Sequence, residues 1–201
     1  MNYRLLQPGP MAACCYLVWD EQTGSAVLID PGAGADALRR TLDTAGLRLR
    51  HIFLTHLHYD HIGAVDALRD GDVRVWLCRR ELENDTCISH GLMDLSLPLC
   101  FYDEGDEIAV DSLRFAVLAT PGHTPGSVCL RCGGLLFTGD TLIAGSCGRV
   151  DFPGGSGADM LVSLRRLAAL DGSLTVLSGH AAPTTLAHER QTNPFMLEAL
   201  R

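Results

Sequence analysis

The stretch Thr55-His56-Leu57-His58-Tyr59-Asp60-His61-Ile62-Gly63 puts three imidazoles and a carboxylate within six residues. His56 and His58 are two apart, so on extended backbone they point to the same side. Asp60 and His61 fall where the chain turns into a helix and can aim elsewhere. Protonated imidazoles repel one another, and buried neutral ones need partners. A divalent cation meets both demands, because neutral imidazole nitrogen and carboxylate oxygen are natural zinc ligands. The alternative is a polar surface loop that is His-rich by chance.

Three more residues favour the metal reading. His123 lies in Thr120-Pro121-Gly122-His123-Thr124-Pro125-Gly126, Asp140 ends Leu136-Phe137-Thr138-Gly139-Asp140, and His180 ends Val176-Leu177-Ser178-Gly179-His180. Each follows an apolar run and stands beside or near glycine. Singly, each fits a satisfied loop residue; jointly, they describe one site at one edge of a sheet. Asp30, which ends Val27-Leu28-Ile29-Asp30, is expected under the same edge. There it either orients a ligand imidazole or its loop, or simply forms a turn before Pro31.

The elements that must carry these residues are legible in outline. Strands are expected over Cys14–Asp20 and Ala26–Asp30, with the polar turn Glu21-Gln22-Thr23-Gly24 between them. Leu38 and Leu42 mark a helix over Ala35–Ala45 that stops at Gly46. A short buried strand at Ile52–Leu54 leads into the histidine cluster, a helix follows over Ile62–Leu68, and a strand over Val73–Leu77. Residues 79–106 read as a surface excursion. Strands resume at Glu107–Val110, Arg114–Ala119, Ser127–Arg131 and Leu135–Thr138. A Gly-rich loop spans 145–157, and Met160, Leu161, Leu164, Leu167 and Ala168 mark one face of an amphipathic helix. Thr175–Leu177 reads as a last strand and Thr184–Gln191 as a helix. The mixture suits an α/β sandwich, not a strict βαβ winding.

Length and composition bound the function. Two hundred and one residues, 47% hydrophobic and 20% charged, suit one globular domain over 1–201 and exclude intrinsic disorder. No apolar run approaches the ~20 residues of a membrane span. The net charge is −8 and the chain has no lysine, which argues against nucleic acid or an anionic membrane as partner. The eight cysteines (Cys14, Cys15, Cys78, Cys87, Cys100, Cys129, Cys132 and Cys147) are too few for a disulfide scaffold. The apolar stretch from Ala12 to Trp19 reads as a strand, not a leader, so a cytoplasmic protein with reduced thiols is expected. Cys129-Leu130-Arg131-Cys132 is a lone CxxC in an expected strand and its turn, read as buried and structural, as is Cys14-Cys15.

The cluster HxHxDH, followed by a later His, Asp and His after strands, resembles the metallo-β-lactamase fold superfamily over essentially the whole chain. The resemblance implies an αββα sandwich with a dinuclear site at one edge. By it, His56, His58 and His123 hold one metal, Asp60, His61 and His180 the second, and Asp140 bridges. Asp60 and Asp140 are the two assigned to catalysis as well. Gly148-Arg149-Val150-Asp151-Phe152-Pro153-Gly154-Gly155 and Thr192-Asn193-Pro194-Phe195 are similar to the compact bacterial glyoxalase II-like hydrolases. True β-lactamases of this fold carry Cys where Asp140 stands, which argues against antibiotic hydrolysis. The nuclease and flavin-diiron branches carry further domains for which 201 residues leave no room.

A water shared by two divalent ions loses its proton near neutral pH and becomes the nucleophile, so no serine or cysteine need attack. One ion can polarise the substrate carbonyl. A thioester, whose thiolate leaves without a strong general acid, suits a site made of ligands. The resemblance points to a hydroxyacylglutathione such as S-D-lactoylglutathione as a small-molecule partner. Zinc comes first as the metal, while iron and manganese also accept these ligands. Arg149 either binds a substrate carboxylate or bridges to Asp151, and Tyr59 either lines the pocket or packs. Three other readings share the ligands: a persulfide dioxygenase with one iron on His56, His123 and Asp140, a lactonase or phosphodiesterase, and a non-catalytic metal-stabilised module. Oligomeric state is not legible.

Overall fold

Along the strand Cys15–Trp19, successive side chains enter two different apolar layers. Tyr16 and Val18 turn one way and Cys15 and Leu17 the other, and all four are buried. Such a strand needs cover on both faces. The computed structural model, which describes every residue except 8, 10 and 84–90 (and of 83 only the backbone), supplies it. Strands β1 (Asn2–Leu6), β2 (Cys15–Trp19), β3 (Ser25–Ile29), β4 (Arg48–Phe53), β5 (Arg74–Cys78) and β6 (Cys100–Tyr102) form one sheet in that order. Strands β7 (Glu107–Val110), β8 (Leu113–Ala119), β9 (Val128–Cys132), β10 (Leu135–Gly139), β11 (Thr175–Ser178) and β12 (Thr184–Thr185) form the second.

Between the sheets, Tyr16, Val27 and Phe53 meet Phe115, Leu130 and Phe137. The rings of Phe53 and Phe115 lie edge to face at 4.9 Å, and the Tyr16 hydroxyl donates to the Ser178 carbonyl at 2.7 Å. The outer face of the first sheet is covered by α1 (Ala35–Ala45), α2 (Tyr59–Ile62) and α3 (Val65–Leu68) through Leu38, Leu42, Ile62, Val65 and Leu68. A further short helix, α4 (Arg80–Glu83), follows β5. The outer face of the second sheet is covered by α5 (Gly157–Ala168), α6 (Leu186–Thr192) and α7 (Pro194–Ala199), with Met160, Leu164, Leu186 and Met196 against Leu136 and Val176. The layers run α, β, β, α, as expected. Among the described residues no helix is long and apolar enough to cross a membrane.

Strands β3, β4 and β5 run parallel, as do β10 and β11. Parallel strands deliver their carboxyl ends to one edge of a sheet, where side chains from distant parts of the chain can meet. Asp30, Thr55–His61, Asp140 and His180 all follow such strand ends.

Several elements differ from the sequence expectation. Residues 79–106 are not only a surface excursion. They contain α4 and β6, which pairs in parallel with β5, and Glu81, Met93 and Tyr102 are buried. The Tyr102 hydroxyl bonds to the Leu54 carbonyl and its ring packs against Phe53, which draws the segment inward. Residues 84–90 of that expectation, with Cys87, lie outside the described residues. The helix expected over Ile62–Leu68 is divided between α2 and α3, because the Ala64 N–H turns to the Pro31 carbonyl at 2.9 Å. The segment Thr184–Gln191 opens with β12, and β1 and α7 were not anticipated. Cys129 and Cys132 lie on opposite faces of β9 in two different apolar layers, and Cys14 and Cys15 likewise divide between layers. All four are free thiols.

Candidate metal centre

Strand β4 ends in the buried pair Ile52 and Phe53, and α2 begins just after His58, whose backbone is extended. Thr55 anchors the run between them to the neighbouring strand end: its N–H and hydroxyl both donate to the Asp30 carboxylate, at 2.8 and 2.7 Å. Asp30 is itself buried, at a positive φ of 52° that non-glycine residues rarely adopt. Its Oδ2 also lies 3.1 Å from His61 Nδ1. The sequence left Asp30 between a turn former and an orienting carboxylate, and the contact with the His61 ring is the second of these geometries.

These bonds decide which ring nitrogens remain available. The Thr55 hydroxyl spends its proton on Asp30, so it accepts from His56 Nδ1 at 3.0 Å and leaves His56 Nε2 bare. His61 gives its Nδ1 proton to Asp30, which likewise leaves Nε2. His123 Nδ1 lies 2.7 Å from the Arg149 carbonyl, which can only accept, so its Nε2 faces inward.

The inward atoms converge. Ligand atoms of His56, His58 and His123 lie within 4.8 Å of one another, as do those of Asp60, His61 and His180. Asp30, His56 and His61 make a third such group, on the side where Asp30 orients the rings. Asp140 stands between the first two: its Oδ2 is 3.4 Å from His123 Nε2 and 3.6 Å from His180 Nε2, and its Oδ1 is 3.7 Å from His61 Nε2. His123 Nε2 and His58 Nδ1 are only 2.8 Å apart. The structure therefore brings together all seven residues that the sequence singled out, with Asp30 beneath them.

Electrostatics divide the site. Burial, with the crowding of neighbouring imidazoles, holds the His56 pKa well below its usual value and takes His58 down to about 4. Burial also lowers His123. On the other side burial opposes the charge of His61, but the carboxylates of Asp140, Asp30 and Asp60 outweigh it and raise the ring to about 9. His180 is raised by its bond to Asp60. Burial alone would raise Asp60, yet His180 and His61 bring it down to about 2.

The donor set can be tested for fit to cations without reference to any relative. His56 Nε2, His58 Nε2, His61 Nε2 and Asp140 Oδ1 are buried and have no hydrogen-bond partner. A buried polar atom without a partner costs about 1–3 kcal/mol, and His56 Nε2, His61 Nε2 and Asp140 Oδ1 together call for a shared partner. Imidazole lone pairs and carboxylate oxygens facing one point suit a divalent ion. The residues fit.

The surrounding residues sort less simply. The Arg149 guanidinium makes two 2.7 Å bonds to Asp151 and lies 3.8 Å over the Phe152 ring, so the ion pair considered from sequence is present. Phe152 also meets the His58 ring edge to face at 5.5 Å. Tyr59 and Asp60 line a cavity of about 180 Å³ with Met11, Ala13, Ala33 and Leu92. Sequence reasoning gave no role to Thr55, to the Arg149 carbonyl or to Glu81. Glu81 is buried, which raises its carboxyl pKa against the pull of its hydrogen bonds, and it binds backbone on two sides of the site. Thr55 stood inside the conspicuous cluster, whereas nothing in the sequence marked the other two.

Residues 8–180 match the Metallo-beta-lactamase superfamily. The hydroxyacylglutathione hydrolase GloC of Haemophilus influenzae is 32% identical over 212 residues, covering 98% of both chains. Among solved structures, the BLEG-1 B3 metallo-beta-lactamase superposes with a TM-score of 0.86 at 32% identity, over 97% of this chain and 99% of its own. TTHA1623 in a di-iron-bound form does so with a TM-score of 0.83 at 36% identity, over 96% and 99%.

Proposed function

The chain belongs to the metallo-beta-lactamase superfamily, and on that premise we propose that it is a dinuclear metallohydrolase that cleaves thioesters, hydroxyacylglutathiones first among them. His56, His58 and His123 would hold one divalent ion and Asp60, His61 and His180 the other, with Asp140 placed between the two groups. The observation that carries this reading is the convergence of the seven residues, with His56 Nε2, His61 Nε2 and Asp140 Oδ1 buried there and without hydrogen-bond partners. Two ions held there supply an activated water and a Lewis-acid contact for the scissile carbonyl.

The chain's own residues prepare the place. Thr55 and Asp30 fix the His56 and His61 rings with Nε2 inward, and the Arg149 carbonyl does the same for His123. Such outer hydrogen bonds set tautomer and basicity. A thioester is favoured because thiolate leaves without a strong acid, which suits a site built largely of ligands and their supports. The 32% identity to a hydroxyacylglutathione hydrolase supports the same substrate class. Zinc is the proposed metal, with iron the alternative that the di-iron relative recommends.

Elemental analysis of protein purified without added metal, followed by a substrate panel, tests the proposal. The panel holds S-D-lactoylglutathione, a simple acyl thioester, a lactone and a β-lactam, the last because of the likeness to BLEG-1. Two ions per chain and thioester turnover are expected, with His58→Ala reducing that turnover to background. Full activity in that variant, or turnover of the β-lactam alone, would overturn it.

A further inference from the structure

Glu81 sits on α4, a short helix just past β5, in a segment with no motif of its own. Its carboxylate is buried, and each oxygen is engaged by a different loop of the metal centre. Oε2 accepts the backbone N–H of Leu57 at 2.8 Å, and Leu57 lies between His56 and His58. Oε1 accepts the backbone N–H of Gly126 at 2.8 Å, three residues after His123. The Thr124 hydroxyl, next to His123 and 2.6 Å from Ser127 Oγ, also acts on the Glu81 carboxylate. The partners are 24 and 45 residues away in sequence. The approach to the second loop is close enough to exclude any side chain at Gly126. A Cβ there would lie 2.7 Å from Glu81 Oε1 and 2.8 Å from its Cγ.

We propose that Glu81 is a positioning residue, a buried strap that sets the spacing between the loop carrying His56 and His58 and the loop carrying His123. The inference rests on the reading of these three histidines as ligands of one ion. A carboxylate suits the task because it accepts on both oxygens at once, and charge-assisted bonds to backbone N–H groups are short and strong. The two backbone N–H groups that Glu81 binds belong to the loops of His56, His58 and His123, so the strap acts on one of the two ligand groups. Glu81 touches no reacting atom.

The test compares holoenzyme of the wild type, Glu81→Gln and Thr124→Val. Release of the first and second ions is titrated with a chromogenic chelator, and the visible spectrum of the cobalt-loaded proteins is recorded. Gln retains the shape but turns an NH2 group toward one of the two backbone N–H groups. The expected result for Glu81→Gln is one ion held about 10–100-fold more weakly. The other ion should stay within about threefold, and the cobalt absorption bands should shift. Thr124→Val, which leaves both backbone bonds to Glu81 in place and removes a hydroxyl that also contacts Ser127 Oγ at 2.6 Å, should give a smaller loss at the same ion. It decides the matter alone if Glu81→Gln does not fold. A generally loosened structure would weaken both ions together, and that result, or wild-type release of both ions in every variant that folds, overturns the proposal. Wild-type protein that takes up fewer than two ions would instead remove the reading on which the proposal stands.

Discussion

At Gly179 the centre has no space for even a methyl group. A Cβ there would lie 2.2 Å from Asp140 Oδ1 and 2.6 Å from His61 Cε1. Gly179→Ala must therefore displace the carboxylate shared between the two ligand groups. Misplacement of a reacting group by about 1 Å costs on the order of 100-fold in rate. A loss of that size in kcat/KM with unchanged far-UV circular dichroism is expected, and wild-type kinetics would contradict it. Asp30→Asn makes a complementary probe, because asparagine tolerates the left-handed backbone found at that position. The substitution exchanges a carboxylate that takes bonds from Thr55 and faces His61 for a group that cannot accept them all. Metal affinity should fall about 10–100-fold, read by chelator competition. The seven inward residues were legible because their signal is local: alternation in HxHxDH, and strand-end positions beside glycine. Glu81 and the Arg149 carbonyl were not, because they act through contacts 24–45 residues apart in sequence that leave no pattern in the chain.

Elements with an internal period or a stop signal were read closely. Helix α1 has the expected bounds, since Leu38 and Leu42 repeat on one face and Gly46 takes the left-handed φ of 64° that ends the helix. Strand β6 escaped because three residues carry no period, and its burial comes from pairing with β5. Helix α7 escaped although its start was written in the sequence. Asn193 followed by Pro194 is an N-cap and first-turn pair, and the side chain indeed accepts from the N–H groups of Phe195 and Met196. Its amide also donates to the carbonyls of Ile143 and Ser146 and to buried Glu189, which in turn accepts from Gly145. The motif thus ties the C-terminal helices to the start of the loop that carries Arg149. Asn193→Ala removes a cap worth about 1 kcal/mol and the two N–H groups that bond Ile143, Ser146 and Glu189, worth about 0.5–1.5 kcal/mol each because those acceptors keep other partners. A loss of about 2–4 kcal/mol in denaturant unfolding is expected from those two costs together. A change below about 0.5 kcal/mol, ordinary for a surface site, would refute the tie.

Across the whole molecule, the site at the strand ends and the apolar layers are separate sources of stability. None of the three layers contains a metal-centre side chain. Removing the ions with a chelator should therefore lower the Tm, by the binding free energy lost, while leaving the secondary structure intact. Acid acts elsewhere too. His51, in the second half of β4, stacks on Trp76 and accepts the indole N–H at 2.9 Å, which requires a neutral ring. Burial first, then the neighbouring Arg74 and Arg50, takes its pKa down to about 4. The unfolded chain carries an ordinary histidine near 6.5. Above that pH both states are neutral and the contribution is complete. As the pH falls from about 6.5 toward 4, the unfolded state gains a proton that the folded ring refuses, and stability drops. The loss from one such group is at most about 1.4 kcal/mol per pH unit. His51→Gln keeps an acceptor but cannot titrate, so the wild type should lose stability faster than the variant between pH 6.5 and 4, and the two should run parallel above pH 7. Parallel curves throughout the acid range would show that the imidazole takes up its proton as readily folded as unfolded.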